Sequence, residues 1–219
     1  MIIETIKGGM DENLNYVIGC PATRIGAVVD AAVPADEIVR AAEKHDLRLL
    51  YLLITHSHRD HLLHGAELLS ALNPAPFVIG YGPAISEALD LPPERFHEMS
   101  TGDRLLLGHL AFGAFHTPGH CADSLCFYFA QENALFTGDT LFVGRTGRTR
   151  FPGQSAAELY RGIRDHIQPL PDDVTIYPGH DYGPKPTDTL GGQRQTNRFL
   201  TARDEADFVR IMDEYEASR

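Results

Sequence analysis

Four residues with metal-binding side chains lie within six positions, directly after a strongly apolar segment: His56, His58, Asp60 and His61. The segment, LRLLYLLIT at 47–55, is too apolar for a strand with one exposed face, so it predicts a central strand buried on both faces. Polar side chains crowded at the end of a buried strand are costly unless a cation or hydrogen-bonding partners compensate them. Imidazoles and carboxylates without a thiolate suit Zn²⁺, Fe²⁺ or Mn²⁺, and the segment therefore predicts a metal site.

Three later segments repeat this arrangement, in which an apolar strand runs into a tight turn with one ligand-type side chain. FHTPGH ends at His120, LFTGD ends at Asp139 and IYPGH ends at His180. Strand ends are rigid and glycine lets the backbone come close to an ion, so we expect these turns at one edge of a sheet. Together the seven donors are enough for two neighbouring metal ions that share one carboxylate.

A single histidine at a strand end is more often structural than a metal ligand. The histidines outside the four segments are interpreted as structural or surface residues: His45, His64, His97, His109, His116 and His166. His64 and His116 lie close in sequence to the predicted site and could support its ligands through hydrogen bonds. The metal prediction therefore rests on the four segments together.

The remaining sequence alternates between strand and helix patterns, which favours layers of sheet and helix. Strands are predicted at 2–6, 14–19, 25–30 and 173–180, with an antiparallel meander of short strands between 104 and 139. Helices are predicted at 34–46, 155–167 and 204–215. Their signals are Pro34 with an acidic first turn, the capping-box spacing of Ser155 and Glu158, and an apolar stripe in the last segment.

The length of 219 residues predicts a single domain over 1–219 with a short helical tail from about 203. No apolar run approaches the roughly 18 residues of a bilayer span, and the N-terminus lacks the features of a signal peptide. Three cysteines, few and odd in number, predict reduced thiols in the cytoplasm. The net charge of −11 counts against nucleic acid as a partner. We expect a monomer or homodimer without membrane or nucleic-acid partners.

The four segments, in this order, resemble the metal motifs of the metallo-β-lactamase superfamily. THSHRDH resembles its T-H-x-H-x-D-H signature, and TPGH, TGD and PGH resemble its later motifs, over roughly residues 14 to 200. The resemblance implies an α/β fold, the αββα sandwich, with two mixed sheets and helices on both outer faces. It also implies how two metal ions are held: His56, His58 and His120 on the first, Asp60, His61 and His180 on the second, and Asp139 on both.

Within that superfamily the chain is similar to the glyoxalase II-like branch. TGDTLFVGRTGR resembles the stretch TGDTLF-G--GR of that branch, and GHDY resembles its GHEY. By this match Arg148 and Tyr182 would bind a glutathione moiety, because an arginine can pair with a carboxylate through two hydrogen bonds. Two divalent ions, Zn or Fe with Mn as a further option, would hold a hydroxide that attacks the thioester of a small thiol-derived substrate. Asp60 and Asp139 would orient that nucleophile.

Two departures keep a second branch open. Arg150 stands where glyoxalase II usually has an aromatic ring, and the C-terminal extension is short. The HDY segment and the tail also resemble persulfide dioxygenases, which use one iron on two histidines and one aspartate. His56, His120 and Asp139 would form that triad, so the ligands alone do not separate hydrolase from dioxygenase.

Two further alternatives stay open on the sequence alone. The protein could be a non-catalytic metal-binding module or a lactonase-type relative with another acyl substrate. The basic segment GRTGRTRF at 144–151 could bind substrate or could be a solvated loop.

Overall fold

Two six-stranded β-sheets lie against each other in the computed structural model, which describes residues 1–218. The first sheet contains, in spatial order, β1 (Ile2–Gly8), β2 (Asn13–Gly19), β3 (Ile25–Val29), β4 (Arg48–Leu53), β5 (Phe77–Gly80) and β6 (Phe96–Glu98). Its first three strands pair antiparallel, whereas β3 to β6 pair parallel. The strand predicted at 47–55 is therefore central, as expected for a segment buried on both faces.

The second sheet is also mixed, and a small hairpin follows its fourth strand. In chain order its strands and those of the hairpin are β7 (Arg104–Leu107), β8 (Leu110–His116), β9 (Leu125–Phe129), β10 (Ala134–Gly138), the hairpin strands β11 (Leu141–Phe142) and β12 (Arg145–Thr146), β13 (Thr175–Pro178) and β14 (Asp188–Thr189). The spatial order is β14-β13-β10-β9-β8-β7, with only β10 and β13 parallel. The predicted antiparallel meander is confirmed as β7 to β10.

The hydrophobic core between the sheets follows from the alternation of side chains along each strand. Tyr16 and Ile18 of β2 are buried in the same cluster as Phe127 of β9 and Phe136 of β10. The rings of Tyr16 and Phe136, one from each sheet, meet edge to face with centroids 5.2 Å apart. The two sheets are thus joined through interdigitating side chains.

Within residues 1–218, seven α-helices cover the outer faces of the sheets or lead into the connections between strands. They are α1 (Ala35–Lys44), α2 (Arg59–Leu62), α3 (Gly65–Ala71), α4 (Pro83–Ala88), α5 (Ala156–Gly162), α6 (Leu190–Thr196) and α7 (Glu205–Ala217). Apolar residues of α1, α3 and α4 pack with the first sheet, and those of α5, α6 and α7 pack with the second. The predicted αββα sandwich is confirmed.

The helix predicted at 155–167 begins as expected but changes its winding. The Ser155 hydroxyl accepts a hydrogen bond from the Glu158 amide at 3.2 Å, which caps α5. After Gly162 the backbone continues as a π-helical turn, Ile163–Ile167. The elements α3, α4, β5 and β6 were not predicted, because they are short and their apolar periodicity spans too few residues.

The C-terminal helix α7 follows the predicted apolar stripe. Phe208 and Met212 are fully buried in the hydrophobic cluster that packs on the second sheet. Asp204 caps the helix, because its side chain accepts a hydrogen bond from the Asp207 amide. Arg219, the last residue of the predicted tail, lies outside the described residues. Among residues 1–218, no helix combines the length and apolar character needed to cross a bilayer.

Backbone hydrogen bonds connect the two sheets at one edge. The amide of Leu14, in β2, donates to the carbonyl of Gly179 at 2.8 Å. The amide of Leu125, in β9, donates to the carbonyl of Thr55 at 2.7 Å. This connected edge is where the predicted ligand segments lie.

Candidate metal centre

The seven residues predicted as metal ligands come together in one cluster at the connected edge of the sheets. His56 follows β4, His58 to His61 form the start of α2, His120 lies between β8 and β9, Asp139 follows β10 and His180 follows β13. Five of the seven are buried, whereas His58 and Asp60 are half-buried. The predicted juxtaposition is present, and the roles of the residues as metal ligands stay predictions.

Two glycines allow the strand ends to come this close. Gly138 has a φ of 47°, and a Cβ there would lie 2.6 Å from the Cβ of Thr55. A Cβ on Gly179 would lie 2.6 Å from Asp139 Oδ1 and 2.7 Å from His61 Cε1. Any larger residue at these two positions would displace the strand ends or the clustered side chains.

The histidine rings direct nitrogen atoms at one another. His58 Nδ1 lies 2.9 Å from His56 Nε2 and 3.0 Å from His120 Nε2, and the Nε2 atoms of His61 and His180 are 3.2 Å apart. Two ring lone pairs at such distances repel unless a proton or a metal cation lies between them. Three subsets have ligand atoms within 4.8 Å of one another: His56 with His58 and His120, His56 with His61 and Asp139, and Asp60 with His61 and His180.

Asp139 lies between the two histidine groups. Its Oδ2 is 3.4 Å from His120 Nε2, and its Oδ1 is 3.4 Å from Nε2 of both His61 and His180. Oδ1 is buried and has no hydrogen-bond partner within residues 1–218. A buried carboxylate oxygen without a hydrogen bond is costly, and a bound cation would compensate it.

Asp30, at the end of β3, fixes the orientation of His61. Its carboxylate accepts from His61 Nδ1 at 2.7 Å and from both the amide and the hydroxyl of Thr55 at 2.8 Å. With Nδ1 held by Asp30, His61 directs its Nε2 atom into the cluster. Asp30 was not among the predicted site residues, although it ends an apolar strand just as the predicted ligands do.

Backbone carbonyls orient two further rings in the same way. His180 Nδ1 donates to the Asp11 carbonyl at 2.6 Å, and His120 Nδ1 donates to the Arg148 carbonyl at 2.9 Å. Their Nε2 atoms are thereby left facing the cluster. The basic segment that contains Arg148 is therefore connected to a predicted ligand through its backbone.

The pKa values divide the cluster into two parts. Burial lowers the pKa values of His56 and His58. Burial also opposes protonation of His61 and His180, but nearby carboxylates outweigh it and raise both pKa values, that of His180 to about 9. Although burial raises the pKa of Asp139, His61 and His180 outweigh it and hold that pKa well below its usual range.

The donor set fits divalent metal ions. Five imidazoles and two carboxylates converge without a thiolate, which suits Zn²⁺, Fe²⁺ or Mn²⁺. The unpaired Asp139 oxygen and the facing ring nitrogens are both explained by bound cations.

A cleft of about 600 Å³ opens above the cluster, large enough for a small-molecule substrate. Four arginines line it: Arg59, Arg145, Arg148 and Arg150. The far wall comes from the last turn of α7, through Tyr215 and Glu216. Four carboxylates line the cleft as well, those of Asp11, Asp60, Asp139 and Glu216, so the cleft presents both signs of charge to a ligand.

The two residues predicted to bind substrate both line this cleft. The Arg148 side chain is exposed, and its guanidinium lies 4.9 Å from the centroid of the Phe151 ring. The Tyr182 ring stacks on His180, with centroids 4.6 Å apart, and its hydroxyl donates to the Asp11 carboxylate. The hydroxyl and the ring of Tyr182 are therefore both already in contact with neighbouring side chains.

His64 and His116 contact residues other than the seven predicted ligands. His64 Nδ1 pairs with Glu67 at 2.6 Å, and the His116 ring stacks on Tyr81 with centroids 3.9 Å apart. The supporting positions next to the cluster are taken instead by Asp30 and by Asn13, whose amide donates to Asp60 at 2.9 Å.

We expect the substitution Asp30→Asn to weaken metal binding by about 10- to 100-fold, because His61 loses the charged acceptor that orients it. Metal affinity measured by competition with a chelator checks this. Asp207→Asn is a matched control, because Asp207 of α7 pairs with Arg203 and Arg210 and not with any predicted ligand. Equal metal affinities of Asp30→Asn and the unsubstituted protein would show that Asp30 only supports the fold.

The αββα sandwich with this cluster at its edge defines a metallo-β-lactamase-type metalloprotein. The sequence profile of the metallo-beta-lactamase superfamily matches residues 14–180, and the chain belongs to that superfamily.

Relatives of two catalytic types are similarly close to the chain. A probable hydroxyacylglutathione hydrolase of Schizosaccharomyces pombe is 34% identical over 80% of this chain and 66% of its own. The mitochondrial persulfide dioxygenase ETHE1 of Bos taurus is 32% identical over 90% of this chain and 75% of its own. The crystal structure of ETHE1 from Myxococcus xanthus superposes with a TM-score of 0.83 and 27% identity, covering 97% of this chain and 90% of that one.

The chain is shorter than several of its relatives. It spans between 53% and 66% of the length of three of them, including the S. pombe protein.

Proposed function

We propose that the protein is a metal-dependent hydrolase that cleaves a glutathione thioester or a similar small acyl thioester. The observation that carries the proposal is the complete second group of donors, Asp60, His61 and His180, preformed beside the first. Two bound divalent ions would acidify a water molecule and polarise the thioester carbonyl. A hydrolase has a use for both groups, and a hydroxyacylglutathione hydrolase is among the relatives.

Asp60 would orient the attacking water. Its carboxylate lies on the open side of the cluster, 3.3 Å from His180 Nε2 and 2.9 Å from the donating amide of Asn13. Burial raises the pKa of Asp60, but His180, His61 and Asn13 outweigh it and lower that pKa, so the group is ionised at neutral pH. An ionised carboxylate can accept a proton from water. Asp139, held between the two groups, is ionised for the same reason.

The leaving group places little demand on the protein. A thiol has a pKa of about 8.5, so the thiolate can leave without a strong general acid. The cleft needs only to bind the thiol portion and keep the carbonyl at the cluster. Arg148, exposed on the cleft, supplies a cation for a glutathione carboxylate.

Persulfide dioxygenase activity is the second candidate function. It is supported by the similarity to the ETHE1 proteins, which cover more of the chain than the S. pombe relative does. His56, His120 and Asp139 would then hold one iron, with oxygen as a co-substrate.

Oxygen dependence separates the two reactions. We expect the metal-loaded protein to cleave S-lactoylglutathione equally fast with and without oxygen, because water is the only co-substrate of hydrolysis. Parallel aerobic and anaerobic assays on one preparation check this, with glutathione persulfide as the second substrate. Oxygen uptake in step with persulfide loss, together with absent thioester cleavage, would assign the protein to the dioxygenases.

A further inference from the structure

Arg145 ends a stack of three planar groups that begins at a predicted metal ligand. The guanidinium carbon of Arg145 lies 3.8 Å from the centroid of the Tyr182 ring. The same ring lies parallel to the His180 ring, with centroids 4.6 Å apart and planes within 2°. Arg145 is therefore held at a defined position beside the cluster by stacking and cation–π contact.

The charge of Arg145 has no acidic partner within residues 1–218. Its Nη1 donates to the neutral hydroxyl of Tyr215 at 2.8 Å, and its buried Nε has no hydrogen-bond acceptor. The residue is half-buried and lines the cleft. A partly desolvated guanidinium without a carboxylate is costly, so an anion from outside the protein would stabilise it.

The acidic side chains near Arg145 have other partners. The Asp11 carboxylate accepts from the Tyr182 hydroxyl, and Glu216 Oε1 accepts from the Thr149 amide at 2.6 Å. These contacts hold the wall of the cleft in place.

Arg145 and Arg148 flank different parts of the cluster. Arg145 stacks, through Tyr182, next to His180, which belongs to the second donor group. The Arg148 backbone accepts from His120, which belongs to the first. Both arginine side chains also line the cleft, so a ligand bound there has two separate cations within the same cavity.

We propose that Arg145 is a specificity-determining residue that pairs with a carboxylate in the acyl portion of the substrate. The inference rests on the proposed thioester hydrolysis and narrows its substrate class to thioesters that are anionic on both sides of the carbonyl. The thiol portion faces Arg148, and the acyl portion faces Arg145. A singly charged carboxylate suits the position better than a phosphate, because Asp60 and Glu216 also line the cleft.

The test compares two glutathione thioesters of equal acyl length, one ending in a carboxylate and the other in a carboxamide. We expect the metal-loaded full chain to favour the carboxylate by about ten- to a hundredfold in kcat/KM, the effect of one charge-assisted hydrogen bond. Arg145→Met should remove this preference, and Arg145→Lys should retain part of it. Arg148→Met should slow both thioesters alike. Arg104→Met, an exposed position on β7, is the control.

A binding experiment keeps this inference separate from the reaction. Calorimetry with the corresponding unreactive thioethers of glutathione, one carboxylate and one carboxamide, should show the same preference and its loss in Arg145→Met. That result without any thioester cleavage would end the hydrolase proposal but leave the role of Arg145 intact. Equal binding of the two thioethers, no binding of either, or an unchanged preference in a folded, metal-loaded Arg145→Met would overturn the inference.

Discussion

The substitution Asp139→Ala should remove most of the bound metal and essentially all turnover. Asp139 places one oxygen near His120 and the other near both His61 and His180, so its loss affects both donor groups. The substitution also removes a negative charge that would compensate the positive charge of bound cations beside those histidines. Elemental analysis of the purified variant, together with thioesterase assays, measures both effects.

A second variant and a test of folding are needed to interpret the Asp139→Ala result. His180→Ala should lose mainly the metal of the second group, because His180 contacts Asp60 and His61 but belongs to no subset with His58 or His120. Circular dichroism shows whether each variant retains the fold. Full metal content in a folded Asp139→Ala would contradict a bridging position for this carboxylate.

Metal loading should proceed in two steps with different pH dependences. His61 and His180 have raised pKa values, about 9 for His180, so at neutral pH they carry protons that a metal must displace. The pKa values of His56 and His58 are lowered, so these rings are already neutral. The first group should therefore bind metal at neutral pH, whereas the affinity of the second should increase as the pH rises towards 9.

The size of this effect follows from the number of protons released. Each proton displaced changes affinity by about tenfold per pH unit, and two give about a hundredfold. Equilibrium dialysis at a series of pH values measures the stoichiometry, and calorimetry in buffers of different ionisation enthalpy counts the protons. Identical pH dependence for both equivalents of metal would contradict the division of the cluster.

Much of this site could be predicted because each ligand follows a local pattern. His56, His120, Asp139 and His180 come after apolar strands, and strand ends in a layered fold meet at an edge. Asp30 also ends an apolar strand but lacks the glycine that directly precedes His120, Asp139 and His180, so nothing in the sequence distinguished it from an ordinary turn residue. Its role depends on the pairing of β3 with β4, which is a contact between distant segments.

Arg145 shows a different limit of sequence patterns. The basic segment was visible from its composition, but the sequence could not separate the arginines within it. What distinguishes Arg145 is that Tyr182 and Tyr215, from two later elements, hold its guanidinium. Arg148, which the family pattern favoured, contributes its carbonyl to His120 and leaves its side chain exposed.

The backbone hydrogen bonds that connect the two sheets also determine at which stage of folding the site can form. Leu14 is hydrogen-bonded to Gly179, and Leu125 is hydrogen-bonded to Thr55. Formation of this edge therefore brings together residues that are far apart along the chain. Such closures carry a large entropic cost and tend to form late in folding. During synthesis the cluster cannot be complete before β13 has emerged and docked. Metal binding then acts on an almost finished fold, and its free energy adds to the stability of both sheets together.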